Sequence, residues 1–259
     1  MRGSFSTHIA RTVGGWVYSR PAAITWKGGV VSFTFDDFPK TALSVGGSTL
    51  ERYGRSGTYY VALGLCGQCG EMGALHDADD IRSAHARGHE IACHTYSHLD
   101  CSRAAKGTIL TDITANAVMT TTLIEGAQLV NFAYPFGALS LGAKRVVGAH
   151  YASCRGTGGG INRNRVDLAH LLSQRIYASD FDAIELKRLI DENGAVDGWL
   201  IFYTHDVTEQ PSPYGCTPYQ LETVVAYAAE RCTVLPVRDV VTRLVPRSAS
   251  PAGMLALAS

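Results

Sequence analysis

Short apolar runs alternate along the chain with stretches that carry helical spacing or helix stop signals. This alternation constrains the fold more than any other feature. The runs are "GGVVSFTF", "TYYVALGL", "HEIACHT", "LVNFAYPFG" and "GWLIFYTHDV". They are rich in β-branched and aromatic residues and are short enough for buried strands. Between them lie "TALSVGGSTLERYGRSG", closed by Gly54, and "DADDIRSAHARGHE", with Asp in its first turn and Gly88 at its end. "KGTILTDITANAVMTTTLIEGA" and the amphipathic "TPYQLETVVAYAAERC" are further helices. "AKRVVGAHYAS" reads as helix into strand, and "TVLPVRDVVTRL" as a closing strand and helix. Strands alternating with helices imply βα units, hence an α/β fold with a mostly parallel sheet or barrel. No repeat or long linker divides the 259 residues. The expectation is one domain over 26–245, an N-terminal extension at 1–25 and a flexible Pro/Ser/Ala-rich tail at 246–259.

Composition narrows the function classes. Apolar residues make up 46% and charged residues 18%, as in soluble globular proteins. Lys plus Arg and Asp plus Glu both total 23, which gives no reason to expect nucleic acid or an anionic membrane as partner. No window approaches the roughly 18 consecutive apolar residues of a membrane-spanning helix. The first residues, "MRGSFSTHIARTVGGW", lack the apolar core of a signal peptide. The expected location is therefore cytoplasmic. The seven Cys are expected to be reduced and mostly buried. "CGQCG" places Cys66 and Cys69 in a CxxC, but no second pair exists to complete a structural zinc site.

Polar residues gather at the C-terminal ends of the expected strands: Asp36 and Asp37, His94, the Pro-Phe-Gly turn, and His205. In α/β barrels that edge is where active sites are assembled. Asp at a strand end is ordinarily a turn or cap residue. Two adjacent carboxylates nevertheless repel unless something neutralises them, and a metal ion is one neutraliser. "HTYSH" supplies His94 and His98, which share a face if helical or converge at a strand-to-loop bend. Imidazole is the commonest ligand for zinc-like metals, and two His with one carboxylate leave positions open for water and substrate. His205 follows "WLIFYT" and precedes Asp206, a position suited to a general acid. His89 opens its strand and reads as structural. His8, His76, His85, His150 and His170 do not stand in a paired-histidine motif in the sequence and read as surface or core residues.

"TFDD", "HTYSH", "FAYPFG" and "LIFYTHD", in this order, resemble the motifs of the polysaccharide deacetylase family, the NodB-like carbohydrate esterases. The resemblance covers nearly the whole globular part. It implies an irregular (β/α) barrel, typically of seven strands, that removes N-acetyl or O-acetyl groups from sugars with a divalent metal. It assigns the metal to Asp37, His94 and His98, with zinc first and cobalt, manganese or nickel as substitutes. It makes Asp36 the general base and His205 the general acid. In the Pro135-Phe136-Gly137 turn, the backbone N–H of Phe136 would help hold the oxyanion. One departure stands out. The family often carries Arg two residues before the motif Pro, where this chain has Ala133. The expectation is that Asp36 lacks a cationic partner and relies on the metal and local hydrogen bonds. Asp167 and Arg175 are the candidates for support of His205. The implied substrate is an acetylated saccharide or glycolipid precursor, with specificity in loops such as "RGTGGGINRNR" and "TEQPSPYGCTPYQ". Two other readings are a hydrolase of the same fold acting on a non-sugar amide C–N bond and a non-catalytic carbohydrate-binding barrel. Retention of every ligand and of the base favours the enzyme.

Overall fold

The strand that ends in the paired aspartates, β2 (Val30–Asp36), is buried at all seven positions. Strands on both edges and packed side chains on both faces bury it throughout. Even the polar Ser32 and Thr34 that alternate with Phe33 and Phe35 are buried, Ser32 Oγ accepting from Trp199 Nε1 and the Thr34 hydroxyl donating to the Phe202 carbonyl. In the computed structural model, which describes residues 17–244, β2 pairs in parallel with β3 (Thr58–Val61) and β11 (Trp199–Thr204). The sheet continues from β3 to β6 (Glu90–Cys93), β7 (Asn131–Ala133) and β8 (Ser153–Arg155). On the other side β11 pairs with β10 (Gln174–Arg175). These seven parallel strands, in the order β10-β11-β2-β3-β6-β7-β8, curl into a half-barrel, the class of fold expected. A short strand, β12 (Thr233–Val234), pairs with Val30 and Val31, ahead of the point where β3 joins. Two small antiparallel ladders stand apart. One joins β1 (Pro21–Ala23) to β9 (Arg165–Asp167), so part of the stretch read as an extension is paired. The other is the hairpin of β4 (Cys69–Gly70) and β5 (Gly73–Ala74). Most of that extension, His8 and the expected tail lie outside the described residues.

Among the described residues, seven helices cover the sheet: α1 (Ser48–Arg52), which continues a wider turn at Ala42–Gly47, α2 (Ala78–Ala86), α3 (Lys106–Leu123), α4 (Leu141–His150), α5 (Ala183–Ala195), α6 (Pro218–Arg231) and α7 (Val237–Leu244). Local chemistry sets their ends. Asp77 caps α2 by accepting from the N–H groups of Asp79 and Asp80, and Asp80 reaches back to the Asp77 N–H. Thr217 and Gln220 form the same reciprocal box at α6, with Pro218 at its first turn. α5 is not anticipated by the reading above, although Asp182 caps it and Leu186 and Ile190 are buried along it. The main core joins Phe33, Phe35, Leu200 and Phe202 of the sheet to Leu186, Ile190, Leu221 and Val225 of the covering helices. Burial of each such side chain stabilises the fold by roughly 1.5–3 kcal/mol. Cys93, Cys101, Cys154 and Cys216 are buried free thiols, as expected, while Cys66 and Cys69 are exposed. Among the described residues, neither member of that CxxC joins a cluster able to hold a metal. No described helix is long and apolar enough to cross a membrane.

Candidate active site

Asp36 is the last residue of β2, and a regular strand would send the next side chain to the opposite face. The chain breaks that rule. Asp37 and Phe38 both take left-handed backbone angles, with φ of 58° and 53°. The Asp37 carboxylate then meets the two histidines of "HTYSH": its Oδ1 lies 3.3 Å from His98 Nε2 and 3.7 Å from His94 Nε2. The three ligand atoms lie within 4.8 Å of one another. His94 follows β6, and its Nδ1 lies 2.9 Å from the Ala133 carbonyl. A carbonyl only accepts, so Nδ1 carries the proton and the Nε2 lone pair faces Asp37. The histidine segment is a bend, with Thr95 and His98 also left-handed at φ of 61° and 56°. Asp112 of α3 secures it by accepting from the N–H groups of Tyr96 and Ser97 and from the Ser97 hydroxyl.

This donor set fits a divalent metal. Asp37 Oδ1 is buried and accepts no hydrogen bond, though two imidazole nitrogens face it. Burial pushes the Asp37 carboxyl up to about 6, with Asp36 adding to the rise and His205 opposing it. Burial likewise holds His94 down to about 3 and lowers His98, so both rings are neutral, the form in which imidazole can ligate a metal. Two His and one carboxylate leave coordination positions free, as catalytic sites require.

The second carboxylate corrects the expectation about Ala133. Asp36 is not without a cationic partner: the guanidinium of Arg155 donates to its Oδ1, and both side chains are buried. Arg155 ends β8, and Ala133 ends β7 as its register partner. The positive charge therefore arrives from one strand further along the sheet. Tyr60 and Tyr203 flank the guanidinium, with ring centroids 4.9 and 5.1 Å from Cζ. Burial alone would raise the Asp36 pKa, but Arg155, aided by His94 and His205, leaves it below the ordinary carboxylate value. A buried Arg needs a carboxylate, and the Arg that closes "YASCR" is the one sequence signal of this pairing.

His205 stands one residue beyond β11, with Nε2 3.9 Å from Asp37 Oδ2. Its Nδ1 donates to the Tyr214 carbonyl at 3.1 Å, and the rings of Tyr177 and Tyr214 flank it. Asp206 faces away, accepting from the N–H and hydroxyl of Ser212. At position 215 a Cβ would meet Asp206 Oδ1 at 2.4 Å, so only glycine lets the loop return its Tyr214 carbonyl to the ring. Asp167 is engaged by Lys144 and the Arg20 N–H, and Arg175 by Asp180. Neither expected residue is the partner of His205; a backbone carbonyl is. Phe136 has φ of 60° in its turn, and its exposed ring meets the edge of His98 at 4.4 Å. Gly137 is required beside it, since a Cβ there would overlap Thr157 Oγ1 at 2.0 Å. His89 is structural as expected: it is buried, it accepts the Gly57 N–H on Nδ1, and its Nε2 meets Glu51.

A curled parallel sheet with acid, imidazole and aromatic groups converging at its C-terminal edge is the architecture of an α/β-barrel hydrolase site. Residues 24–152 match the sequence model of the polysaccharide deacetylase family, and the chain belongs to that family. Among solved structures it is similar to a family 4 acetyl xylan esterase from Clostridium thermocellum in complex with a cobalt ion. That likeness has a TM-score of 0.55 at 21% identity and covers 83% of this chain and 91% of the esterase. The chitin deacetylase of the fungal pathogen Colletotrichum lindemuthianum is similar with a TM-score of 0.54 at 18% identity, over 84% of this chain and 89% of that one. At these identities the likeness is one of fold. A Bacillus gellan lyase is 27% identical in a 202-residue alignment that covers 71% of this chain. The matched region spans only 8% of that lyase's length.

Proposed function

We propose that the protein is a divalent-metal-dependent deacetylase that hydrolyses N-acetyl, or O-acetyl, groups on a saccharide or glycolipid. The observation that carries this reading is the unpaired, buried Asp37 Oδ1 facing two imidazole nitrogens, beside a second carboxylate held by Arg155. Asp37, His94 and His98 would hold the metal, with zinc the first choice. The cobalt in the similar xylan esterase supports a metal here. When bound, a divalent ion polarises an acyl carbonyl and makes water acidic enough to act near neutral pH.

The chain's own groups do the rest. Asp36, kept ionised by Arg155, accepts the proton of the attacking water. The N–H of Phe136 donates to the acyl oxygen as charge develops there, an interaction often worth about 3 kcal/mol. His205, oriented by the Tyr214 carbonyl, gives a proton from Nε2 to the departing nitrogen or oxygen. The aromatic faces around the site, Phe136 near His98 and Tyr177 and Tyr214 near His205, support a sugar over a flexible linear amide. Acetate release from a panel of N- and O-acetylated saccharides, with and without chelator, tests the reading. No release from any saccharide would overturn it. In parallel, wild type is expected to carry about one equivalent of divalent metal and the His94→Ala/His98→Ala protein to lose it. Stoichiometric metal in that double variant would sink the ligand assignment.

The role of His205 is separable by leaving group. An amine must be protonated to depart, whereas an activated phenolate needs little help. His205→Ala is therefore expected to lower kcat/KM about 10²-fold or more on an acetamide and much less on an aryl acetate. Equal losses on the two would assign His205 to positioning or folding.

A further inference from the structure

His76 lies directly behind the aspartate proposed as metal ligand. It sits just past the β4–β5 hairpin and is fully buried. Its Nδ1 lies 3.1 Å from the Asp37 carbonyl and 3.2 Å from the Phe38 carbonyl. Its backbone N–H donates to the same Phe38 carbonyl at 2.9 Å. Carbonyls only accept, so Nδ1 carries the proton, and the buried Nε2 has no partner. The hairpin fixes His76 in turn, because its own carbonyl accepts the Gly67 N–H at 2.8 Å and Leu75 bridges to Pro39. The Phe38 ring packs on the imidazole at 5.4 Å between centroids.

These contacts fall on the two successive non-glycine residues that leave β2 in left-handed conformation. Crowding between Cβ and the carbonyl oxygen disfavours that conformation, and a pair of such residues persists only where the surroundings impose it. The reversal is also what turns Asp37 toward His94 and His98 rather than onto the opposite face of the sheet. An ordinary core histidine would satisfy both nitrogens. This one leaves Nε2 bare and places its single donor on the strained turn.

We propose that His76 is a positioning residue: it clamps the Asp37–Phe38 reversal so that the Asp37 carboxylate is aimed at the metal before the metal arrives. The inference rests on the metal reading of the preceding section. It assigns His76 an effect on metal affinity, transmitted through the backbone, and no contact with substrate. His76→Asn keeps an amide donor near the Nδ1 position, while His76→Leu removes the donor at similar volume. Zn²⁺ affinity is measured by competition with a chromophoric chelator, and the visible spectrum of the Co²⁺-loaded protein reports ligand geometry. His76→Leu is expected to bind Zn²⁺ at least tenfold more weakly and to show an altered Co²⁺ spectrum. His76→Asn is expected to stay within about threefold of wild type, a rescue that a purely structural role would not give. Wild-type affinity in the Leu variant, or equal weakening in Leu and Asn, would overturn the proposal. The ¹⁵N spectrum of the wild-type histidines decides the case if the Leu variant does not fold: an Nδ1–H tautomer for His76 supports the clamp, and an Nε2–H tautomer removes it. Absence of Zn²⁺ binding by wild type would overturn the metal reading and this proposal with it. Zn²⁺ binding untouched by His76→Leu would overturn this proposal alone.

Discussion

In Asp36→Asn the divalent metal is expected to remain at wild-type content while kcat/KM falls about 10²–10⁴-fold, the usual worth of a general base. In Asp37→Asn both metal and activity are expected to go. The two residues are neighbours in sequence, yet their surroundings differ. Asp36 spends its charge on Arg155, and its pKa is held below the ordinary value. Asp37 has no such partner, and burial lifts it to about 6. That difference adds a stability readout on the metal-free proteins. A carboxyl whose folded pKa lies above its unfolded value near 3.9 binds more protons when folded, so its contribution to stability falls as pH rises from about 4 to about 6. Metal-free Asp37→Asn is therefore expected to match wild type at pH 3.5 and to be the more stable by roughly 2–3 kcal/mol at pH 7. Denaturant midpoints at the two pH values, with chelator present, check this. Equal metal loss in both Asn variants, or no gain in stability for Asp37→Asn, would mean the roles are wrongly divided.

How far the sequence alone could reach follows from the kind of information each feature carries. The strands and the cluster of Asp37 with His94 and His98 were legible, because an apolar run ending in a polar residue marks a strand and the edge where polar groups gather. The Ser97 and Asp112 contacts that hold the histidine bend carry no such mark. α5 had readable signals in Asp182, Leu186 and Ile190, but it lies among short strands and Gly-rich loops that obscure the alternation. Arg155 was not legible as the partner of Asp36. Its reach depends on the register between β7 and β8, which sets Ala133 opposite Arg155. The support of His205 left no trace in side-chain identity, since the acceptor is the Tyr214 carbonyl and its position is fixed by Gly215. His76 illustrates the same limit. A lone histidine in sequence is ordinarily a core or surface residue, and only its contacts with two left-handed carbonyls distinguish it.

Arg155→Met is expected to move the acid limb of kcat/KM to higher pH and to destabilise the protein by about 3–5 kcal/mol near neutrality, the cost of stripping one partner from a buried ion pair. The sign follows from the groups around Asp36. Burial raises its pKa, and Arg155 is the largest influence lowering it. Without the guanidinium, burial dominates, and the base must be deprotonated at higher pH before it can act. For stability, a carboxyl with a depressed folded pKa contributes above its unfolded value near 3.9 and loses that contribution as pH falls through the folded pKa. The gap between wild type and Arg155→Met should therefore be wide at pH 7 and narrow below pH 4. Sheet register supplies the rescue. Ala133 and Arg155 are paired on adjacent strands, and the small buried Ala133 packs with Tyr60 and Ala92. Ala133→Arg alone puts a second guanidinium beside the first and is expected to destabilise the protein. Combined with Arg155→Ala, it returns one positive charge to Asp36 in a space that the second substitution has opened. The double variant is then expected to recover the wild-type acid limb, at least in part, with kcat/KM measured against pH at constant metal content. An acid limb that does not move in Arg155→Met would show that Asp36 is not the titrating base. A limb that moves there but is not restored in the double variant would show that the charge must come from β8.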